Sequence, residues 1–284
     1  MSGPVGTASK RAKEEKRVTD AVRYEVEGGI ATVTLNRPDH MNTMNDELLE
    51  AALSMFERAA DDDRARVVVL TGAGRAFCAG GDLQGMAAGQ AGGISGGSSA
   101  SERIDALRHA MRTSQLLREM PKATIARING ACAGAGLAWA CACDLRYCAD
   151  TAVFNTAFMT AGLSGDFGGT WTLPRIVGHA KAVELYVLAE KFGADEAERI
   201  GLVSKSVPAA ELDAHVRRVA ERLAAFAPLT LAAVKANLAD SPYTSFTEQL
   251  DREAVRHIRC GLTEDAREAA AAFLEKRAPV FHGR

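Results

Sequence analysis

Two copies of one local pattern constrain this chain more than any other feature. Each is an apolar, β-branched run followed by a glycine-rich loop and then a helix-like pattern. The first passes from Val67-Val68-Val69-Leu70 into Ala76-Phe77-Cys78-Ala79-Gly80-Gly81-Asp82-Leu83. The second, about fifty residues on, passes from Thr124-Ile125-Ala126 into Ile128-Asn129-Gly130-Ala131-Cys132-Ala133-Gly134-Ala135-Gly136-Leu137. A strand that turns directly into a helix leaves backbone N–H groups without intrahelical partners, aimed out of the loop. Two such donor sets suit a developing oxyanion. Taken alone, the same loops are also ordinary strand-to-helix turns.

The 284 residues suffice for one large α/β domain, or a domain with a smaller appendage. A net charge of −2 gives no global pull toward nucleic acid or an anionic membrane, and neither is expected as a partner. No apolar run approaches the ~18 residues of a membrane span, and the N-terminus lacks a signal-peptide core. A cytoplasmic protein is the expectation. Residues 1–20 are small, polar and charged and read as a mobile tail. The six cysteines, Cys78, Cys132, Cys141, Cys143, Cys148 and Cys260, form no Cys-x-x-Cys pair, and no nearby histidine completes a zinc pattern. No metal site is expected, and the thiols read as reduced, mostly buried hydrophobes. Cys78 and Cys132 lie beside the loops, where a catalytic thiol is the sharper but less favoured reading.

Gly28-Gly29 reads as the turn of a hairpin, and Asn45 as the N-cap of a helix carrying Leu48, Leu49, Ala52, Leu53 and Phe56 on one face. Residues 86–101 are a low-complexity stretch rich in Gly, Ser and Ala, read as a surface insertion or a lid over the first loop. Ser101 is expected to open the next helix, with Ile104, Leu107, Met111 and Leu117 facing inward. Leu145–Ala149 reads as a strand, and Gly168-Gly169 as the start of a further helix. From about residue 208 the chain reads as helical, over 229–239, 245–259 and 263–275 among others. No fixed-period repeat is visible. Alanine-rich helices with partly apolar faces point to an oligomer.

Five segments in register now carry a resemblance: Leu35-Asn36-Arg37-Pro38-Asp39-His40-Met41-Asn42, the loop from Gly72 to Leu83, the segment from Ile128 to Cys143-Asp144, Leu173-Pro174-Arg175-Ile176-Val177-Gly178, and Ala197-Glu198-Arg199-Ile200-Gly201-Leu202-Val203. In order and spacing they resemble the crotonase family of enoyl-CoA hydratases and isomerases, over about residues 22–284. The resemblance implies an α/β fold, a crotonase-like spiral of ββα units with a C-terminal helical trimerisation region. It divides the chain into the tail (1–20), a spiral core with the acyl-CoA site (21–205) and a helical oligomerisation region (206–284). A homotrimer or a dimer of trimers is implied. The ligand implied is an acyl-CoA thioester, with coenzyme A as part of the substrate and no separate cofactor. Its thioester oxygen is expected between the backbone N–H groups of Gly81 and Ala135. Ala135 departs from the usual glycine, but the donated group is main-chain, so the hole is expected to survive. Asp39, His40, Met41 and Asn42, with Ala79, Gly81, Asp82 and Leu83, resemble the strip that holds the pantetheine and adenine. Gly134 and Phe158 are expected against the acyl group.

Hydratases of this family place one water between two glutamates. By position these fall at 138 and 158, where this chain has Ala138 and Phe158. Between Glu119 and Glu184 the only carboxylates are Asp144, Asp150 and Asp166. Alanine moves no proton and phenylalanine excludes the water, so standard hydration is not expected. Asp166, in Gly165-Asp166-Phe167-Gly168-Gly169, resembles the position that supplies a carboxylate in dienoyl-CoA isomerases and aroyl-CoA dehalogenases; a plain N-cap is its structural alternative. Asp144 is expected to cap or pair, Asp150 to be solvated, Asp82 to be structural, and His109 to lie on a surface. A lone carboxylate raised by the apolar surroundings of Phe158, Phe167 and Trp139 suits a proton shuttle that moves a double bond. Two alternatives stay open. One is a nucleophilic Asp166 in a dehalogenase or thioesterase; the other is an acyl-CoA-binding protein without chemistry.

Overall fold

Gly28 and Gly29 have positive φ (58° and 82°) and turn β1 (Val22–Glu27) back onto β2 (Ile30–Leu35), as the glycine pair predicts. The computed structural model describes residues 20–82 and 99–284. The hairpin is followed by α1 (Asp46–Asp61), β3 (Val67–Gly72), β4 (Ala76–Cys78), α2 (Ala100–Glu119), β5 (Ala123–Ile128), β6 (Ala131–Ala133), α3 (Ala135–Ala142), β7 (Leu145–Ala149) and β8 (Val153–Asn155). Then come α4 (Gly169–Val177), α5 (His179–Leu188), β9 (Phe192–Gly193), α6 (Ala194–Arg199), β10 (Lys205–Val207), α7 (Leu212–Ala224), α8 (Pro228–Asp240), α9 (Phe246–Gly261) and α10 (Glu264–Glu275).

Each turn of the chain gives one strand to each of two sheets and then a helix: β3-β4-α2, β5-β6-α3, β7-β8-α4. The larger sheet runs β1-β2-β3-β5-β7-β10, parallel from β2 onward; the smaller runs β4-β6-β8-β9. This is the ββα spiral that the motifs imply, without a sequence period. Strand alternation sorts the core onto two faces. Val68, Leu70, Ala126 and Ile128 pack with α1 and α3, whereas Val67, Val69, Ala123 and Ile125 pack with Leu212, Val216 and Ala220 of α7. Helix α7 therefore covers the sheet as part of the body. Beyond it, α8–α10 bury only Asp265 and Ala272 among their side chains.

Asn45 caps α1 as expected, accepting from Leu48 N at 3.0 Å. Helix α2 starts earlier than Ser101: Ser99 caps it and forms a capping box with Glu102. Of the expected inward face of α2, Leu117 is buried and Leu107 and Met111 pack against the core, whereas Ile104 is exposed; Ala110 and Thr113 are buried as well. The last residues are not helical. Asp265 accepts from His282 N (2.7 Å) and Gly283 N (2.8 Å), which ties this segment to α10. The expected tail and the proposed lid lie almost wholly outside the described residues.

Candidate active site

Strands β4 and β6 are neighbours (Ala76 opposite Ala131, Cys78 opposite Cys132), so the two glycine-rich loops leave the small sheet side by side. Their contact is backbone on backbone. A Cβ on Gly136 would stand 2.3 Å from the Cys78 carbonyl oxygen and 2.7 Å from its Cβ, and one on Gly80 would stand 3.0 Å from the Ala133 oxygen. Glycine permits this approach where alanine would push the loops apart. On the first loop, Met44 N donates to the Gly80 oxygen (2.8 Å) and Asp82 N to the Met44 oxygen (3.1 Å). In an extended strand the intervening Gly81 N–H then points to the opposite side. On the second loop, α3 begins at Ala135, and its first helical bond is from Ala138 N to the Gly134 oxygen (3.1 Å). The N–H groups of Ala135 and Gly136 thus have no intrahelical acceptor. The methyl group of Ala135 is accommodated, since that residue is buried.

Residues 39–42 run beside the first loop, joined to it by Ala79 N donating to the Met41 oxygen (3.1 Å). Asp39 and His40 are exposed on the rim, and Met41 is half-buried. Asn42 is different in kind. It is fully buried, with Nδ2 donating to the Ala73 (2.9 Å) and Ala76 (2.8 Å) oxygens and Oδ1 accepting from Arg37 N (2.8 Å). Both Nδ2 hydrogens and Oδ1 are thus engaged with backbone groups, and the side chain braces the strip. Asp82 pairs with Arg37 at 3.7 Å. Leu83 lies outside the described residues.

Asp166 sits in the loop before α4. It is no N-cap: Gly168, with φ 76°, occupies that position, and Asp166 contributes only its carbonyl, to Gly169 N at 3.0 Å. Its Oδ1 is buried without any hydrogen-bond partner, a rarity in folded proteins that calls for an explanation. Burial pushes its carboxyl up to about 6. The backbone around it is unusual, with Ala157 (φ 60°) and Phe167 (φ 47°) in the left-handed region, and such conformations concentrate at functional sites. Phe167 packs edge-on to Trp139 of α3 (5.9 Å between ring centroids), one turn into the helix that Ala135 begins. Gly165, the residue before Asp166, lies against Tyr186 of α5 (3.8 Å from its Cβ position to the ring edge), Tyr186 stacks on Phe158 beside Gly134, and Gly134 lies against Gly80 (3.7 Å from its Cβ position to the Gly80 Cα). Packing therefore brings the Asp166 loop into one neighbourhood with the two glycine-rich loops.

Phe158 and Ala138 line the same neighbourhood. Phe158 Cζ lies 4.0 Å from where a Gly134 Cβ would stand, and its ring stacks on Tyr186 (6.1 Å between centroids, 17° between planes). A Cβ on Gly169 would meet both Tyr186 Oη (2.5 Å) and Ala138 Cβ (3.2 Å). Tyr186 had no signal in the sequence. It lies on an ordinary helix, twenty residues beyond Asp166, and only the packing of α5 on α4 brings it over Ala138.

Other candidates fall away on their contacts. Cys78 is fully buried and burial pushes its thiol up to about 12; Cys132 is raised as well, so neither is poised as a thiolate. Asp144 accepts from Thr124 N (2.8 Å) and Lys235 Nζ (2.7 Å) and is structural, as expected. Asp150 is exposed and accepts from Ala209 N (3.1 Å). His109 faces Glu50 at the surface (3.4 Å). Trp139 belongs to the core, donating Nε1–H to Thr113 Oγ1 (2.9 Å). Among the described residues there is no cluster of metal-ligating side chains, and no single helix is long and apolar enough to cross a membrane.

A family model described as enoyl-CoA hydratase/isomerase matches residues 25–284. A Rhodobacter capsulatus protein named "Probable enoyl-CoA hydratase" is 40% identical over 268 residues, covering 93% of this chain and 98% of that one. The 1,2-epoxyphenylacetyl-CoA isomerase of Escherichia coli is 35% identical, with 91% and 97% covered. The peroxisomal Delta(3,5)-Delta(2,4)-dienoyl-CoA isomerase of Arabidopsis thaliana is 32% identical, with 94% and 98% covered. The crystal structure of an enoyl-CoA hydratase from Polaromonas superposes with a TM-score of 0.85 at 32% identity, covering 92% of this chain and 99% of that one.

Proposed function

Because the chain belongs to the enoyl-CoA hydratase/isomerase family, we propose that it shifts a double bond in an unsaturated acyl-CoA, with Asp166 carrying the proton. The observation that carries this reading is the unpaired, buried Oδ1 of Asp166 beside the two loops. Ala138 and Phe158 support it by standing where the family resemblance expects the hydratase glutamates. Relatives named as a hydratase and as two isomerases leave either reaction within the family's range.

In the proposed cycle the thioester oxygen accepts from Gly81 N–H and Ala135 N–H. The Asp166 carboxylate takes a proton from the carbon α or γ to the carbonyl, and the C–H electron pair passes into the thioester as an enolate. The two N–H groups stabilise that negative charge, a contribution of about 10²–10³ in rate per donor in comparable holes. Protonated Asp166 then returns the proton to the other carbon. The double bond has moved, and no atom is gained or lost. Apolar surroundings suit this work, because they hold the base near neutrality and keep water from the enolate.

A nucleophilic Asp166 is less well supported, since the two histidines that flank it in sequence lie at the surface: His109 faces Glu50 and His179 is exposed. The six free thiols fit a reducing compartment such as the cytoplasm. The exposed apolar residues of α9 and α10, among them Phe246, Ile258, Phe273 and Leu274, support association into a homotrimer or a dimer of trimers.

The test pairs a diene-absorbance assay over enoyl- and dienoyl-CoAs with calorimetric binding. Wild type turns over at least one of them, and Asp166→Asn loses turnover by about 10²–10⁴ while still binding. Isomerase turnover unchanged in Asp166→Asn removes Asp166 from the mechanism. Tight binding with no turnover of any substrate by wild type would make the protein an acyl-CoA binder.

A further inference from the structure

A cavity of about 570 Å³ opens beside α4, away from the two glycine-rich loops. It lies between the C-terminal end of α2, the α3–β7 turn, α4, the end of α7 and α8, and none of Gly81, Ala135, Phe158 or Asp166 lines it. Helix α3 separates the two places. Ala135 begins that helix, whereas Cys141 and Cys143, at its far end, border the cavity. Its eight residues span about 12 Å.

Leu145, Ile176, Leu223 and Leu231 give the cavity an apolar wall, and its charged lining is one-sided: four cations, Arg118, Arg146, Arg175 and Lys235, against one carboxylate, Asp144. Two of the cations are engaged by the protein. Lys235 pairs with Asp144 (2.7 Å), and Arg146 donates to the Leu202 and Cys143 oxygens (2.7 Å each). The other two are held on a single ring, with Arg175 Cζ 3.8 Å and Arg118 Cζ 4.4 Å from the Trp171 ring centre. Arg175 donates from Nη1 to the Trp171 oxygen (2.9 Å). Among the described residues, Arg118 makes no hydrogen bond or ion pair, only its contact with the indole. The carboxylates of the adjoining cavity do not pair with either arginine: Glu119 accepts from Gln115 (2.8 Å), and Asp240 pairs with Arg252 (2.9 Å) and Arg256 (2.7 Å). Two like charges on one indole repel each other, and an anion within reach of both offsets that repulsion. A guanidinium held flat on a ring also offers its paired N–H donors in the fork that matches a carboxylate.

We propose that this cavity binds an amphiphilic carboxylate, a fatty acid of medium chain length, with its head group between Arg118 and Arg175 and its chain along Leu145, Ile176, Leu223 and Leu231. The volume falls in the range of small-molecule sites, which combine apolar walls with a few polar groups. The site is separate from the acyl-CoA pocket and does not depend on the reaction proposed there.

The test is titration calorimetry of the full chain with decanoate, decanol and acetate, each with and without saturating butyryl-CoA. Decanoate is expected to bind about 10-fold or more tightly than decanol or acetate, and equally well with butyryl-CoA present. Arg118→Gln should weaken decanoate binding about 10–100-fold, the range for a hydrogen bond between charged groups, and Arg175→Gln, on the same ring, should act likewise. A cooperative melting transition shows that each variant is folded. Four results overturn the proposal: decanol or acetate binding as tightly as decanoate, unchanged affinity in both variants, displacement of decanoate by butyryl-CoA, or no binding of decanoate. The last is also the result expected if a second copy of the chain fills the cavity. Butyryl-CoA binding, titrated alone, tests the acyl-CoA pocket independently.

Discussion

Replacing Asp166 by asparagine should make the protein more stable at alkaline pH even as it removes activity. The carboxyl is raised from 3.8 to about 6 by burial, so the folded state holds its proton more tightly than the unfolded chain does. The sign follows from proton linkage. Below the unfolded value of about 4 both states are protonated and the group is neutral toward stability. As pH rises from there to the folded value, the unfolded chain sheds its proton first and the folded protein loses stability; above about 6 the full cost remains. At about 1.4 kcal/mol per unit, ionised Asp166 costs the fold on the order of 2–3 kcal/mol at pH 8. An asparagine in its place has the same shape and no charge. The readout is the difference in melting temperature between variant and wild type at pH 8 minus the same difference at pH 4.5, which cancels any effect of the amide itself. About 2 kcal/mol corresponds to roughly 4–8 °C for a chain of this size. Differential scanning calorimetry on both proteins at both pH values measures it. An equal difference at the two pH values would mean that Asp166 is neither buried nor perturbed, and the argument for a tuned base would fail with it.

Three further outcomes follow from the same geometry. Turnover should rise with pH through a single ionisation near 6, because only the carboxylate accepts a proton; a flat initial-rate profile from pH 5 to 8 argues against Asp166 as the base. Gly136→Ala would place a methyl 2.3 Å from the Cys78 oxygen and force the loops apart. Its kcat should fall about 10²–10³-fold, as for loss of an oxyanion donor, and unchanged kcat would show that this contact does not set the donor spacing. Asn42→Ala removes three hydrogen bonds, one buried and two part-buried, and should cost about 3 kcal/mol in denaturant unfolding; a cost under ~0.5 kcal/mol would deny its bracing role.

Much of the site's backbone is legible in the sequence. The strand-loop-helix cassettes mark β3 and β5, Asn45 marks the start of α1, and Asp144 reads as structural. These features depend on local spacing and capping, which sequence reports directly. Side-chain orientation is less accessible. Ile104 satisfies helical spacing but falls on the solvent side of α2, and Trp139 turns into the core instead of the pocket. The two readings of Asp166, cap or base, differ by a few ångströms of loop path, and the left-handed conformations of Phe167 and Gly168 decide between them. Tyr186 is illegible because nothing in its own helix distinguishes it; its significance arises only where α5 crosses α4.

Proton exchange at the acyl group tests the central claim most directly, since it reports enolate formation whatever the net reaction. Wild type and Asp166→Asn would be incubated with enoyl-, dienoyl- and aryl-CoA thioesters in deuterated water, and deuterium at the carbons α and γ to the thioester followed by mass spectrometry. Wild type is expected to incorporate deuterium into at least one thioester, and Asp166→Asn to lose about 10²–10⁴ of that rate with binding retained. Exchange at the wild-type rate in Asp166→Asn, or none by wild type with any thioester it binds, would contradict it.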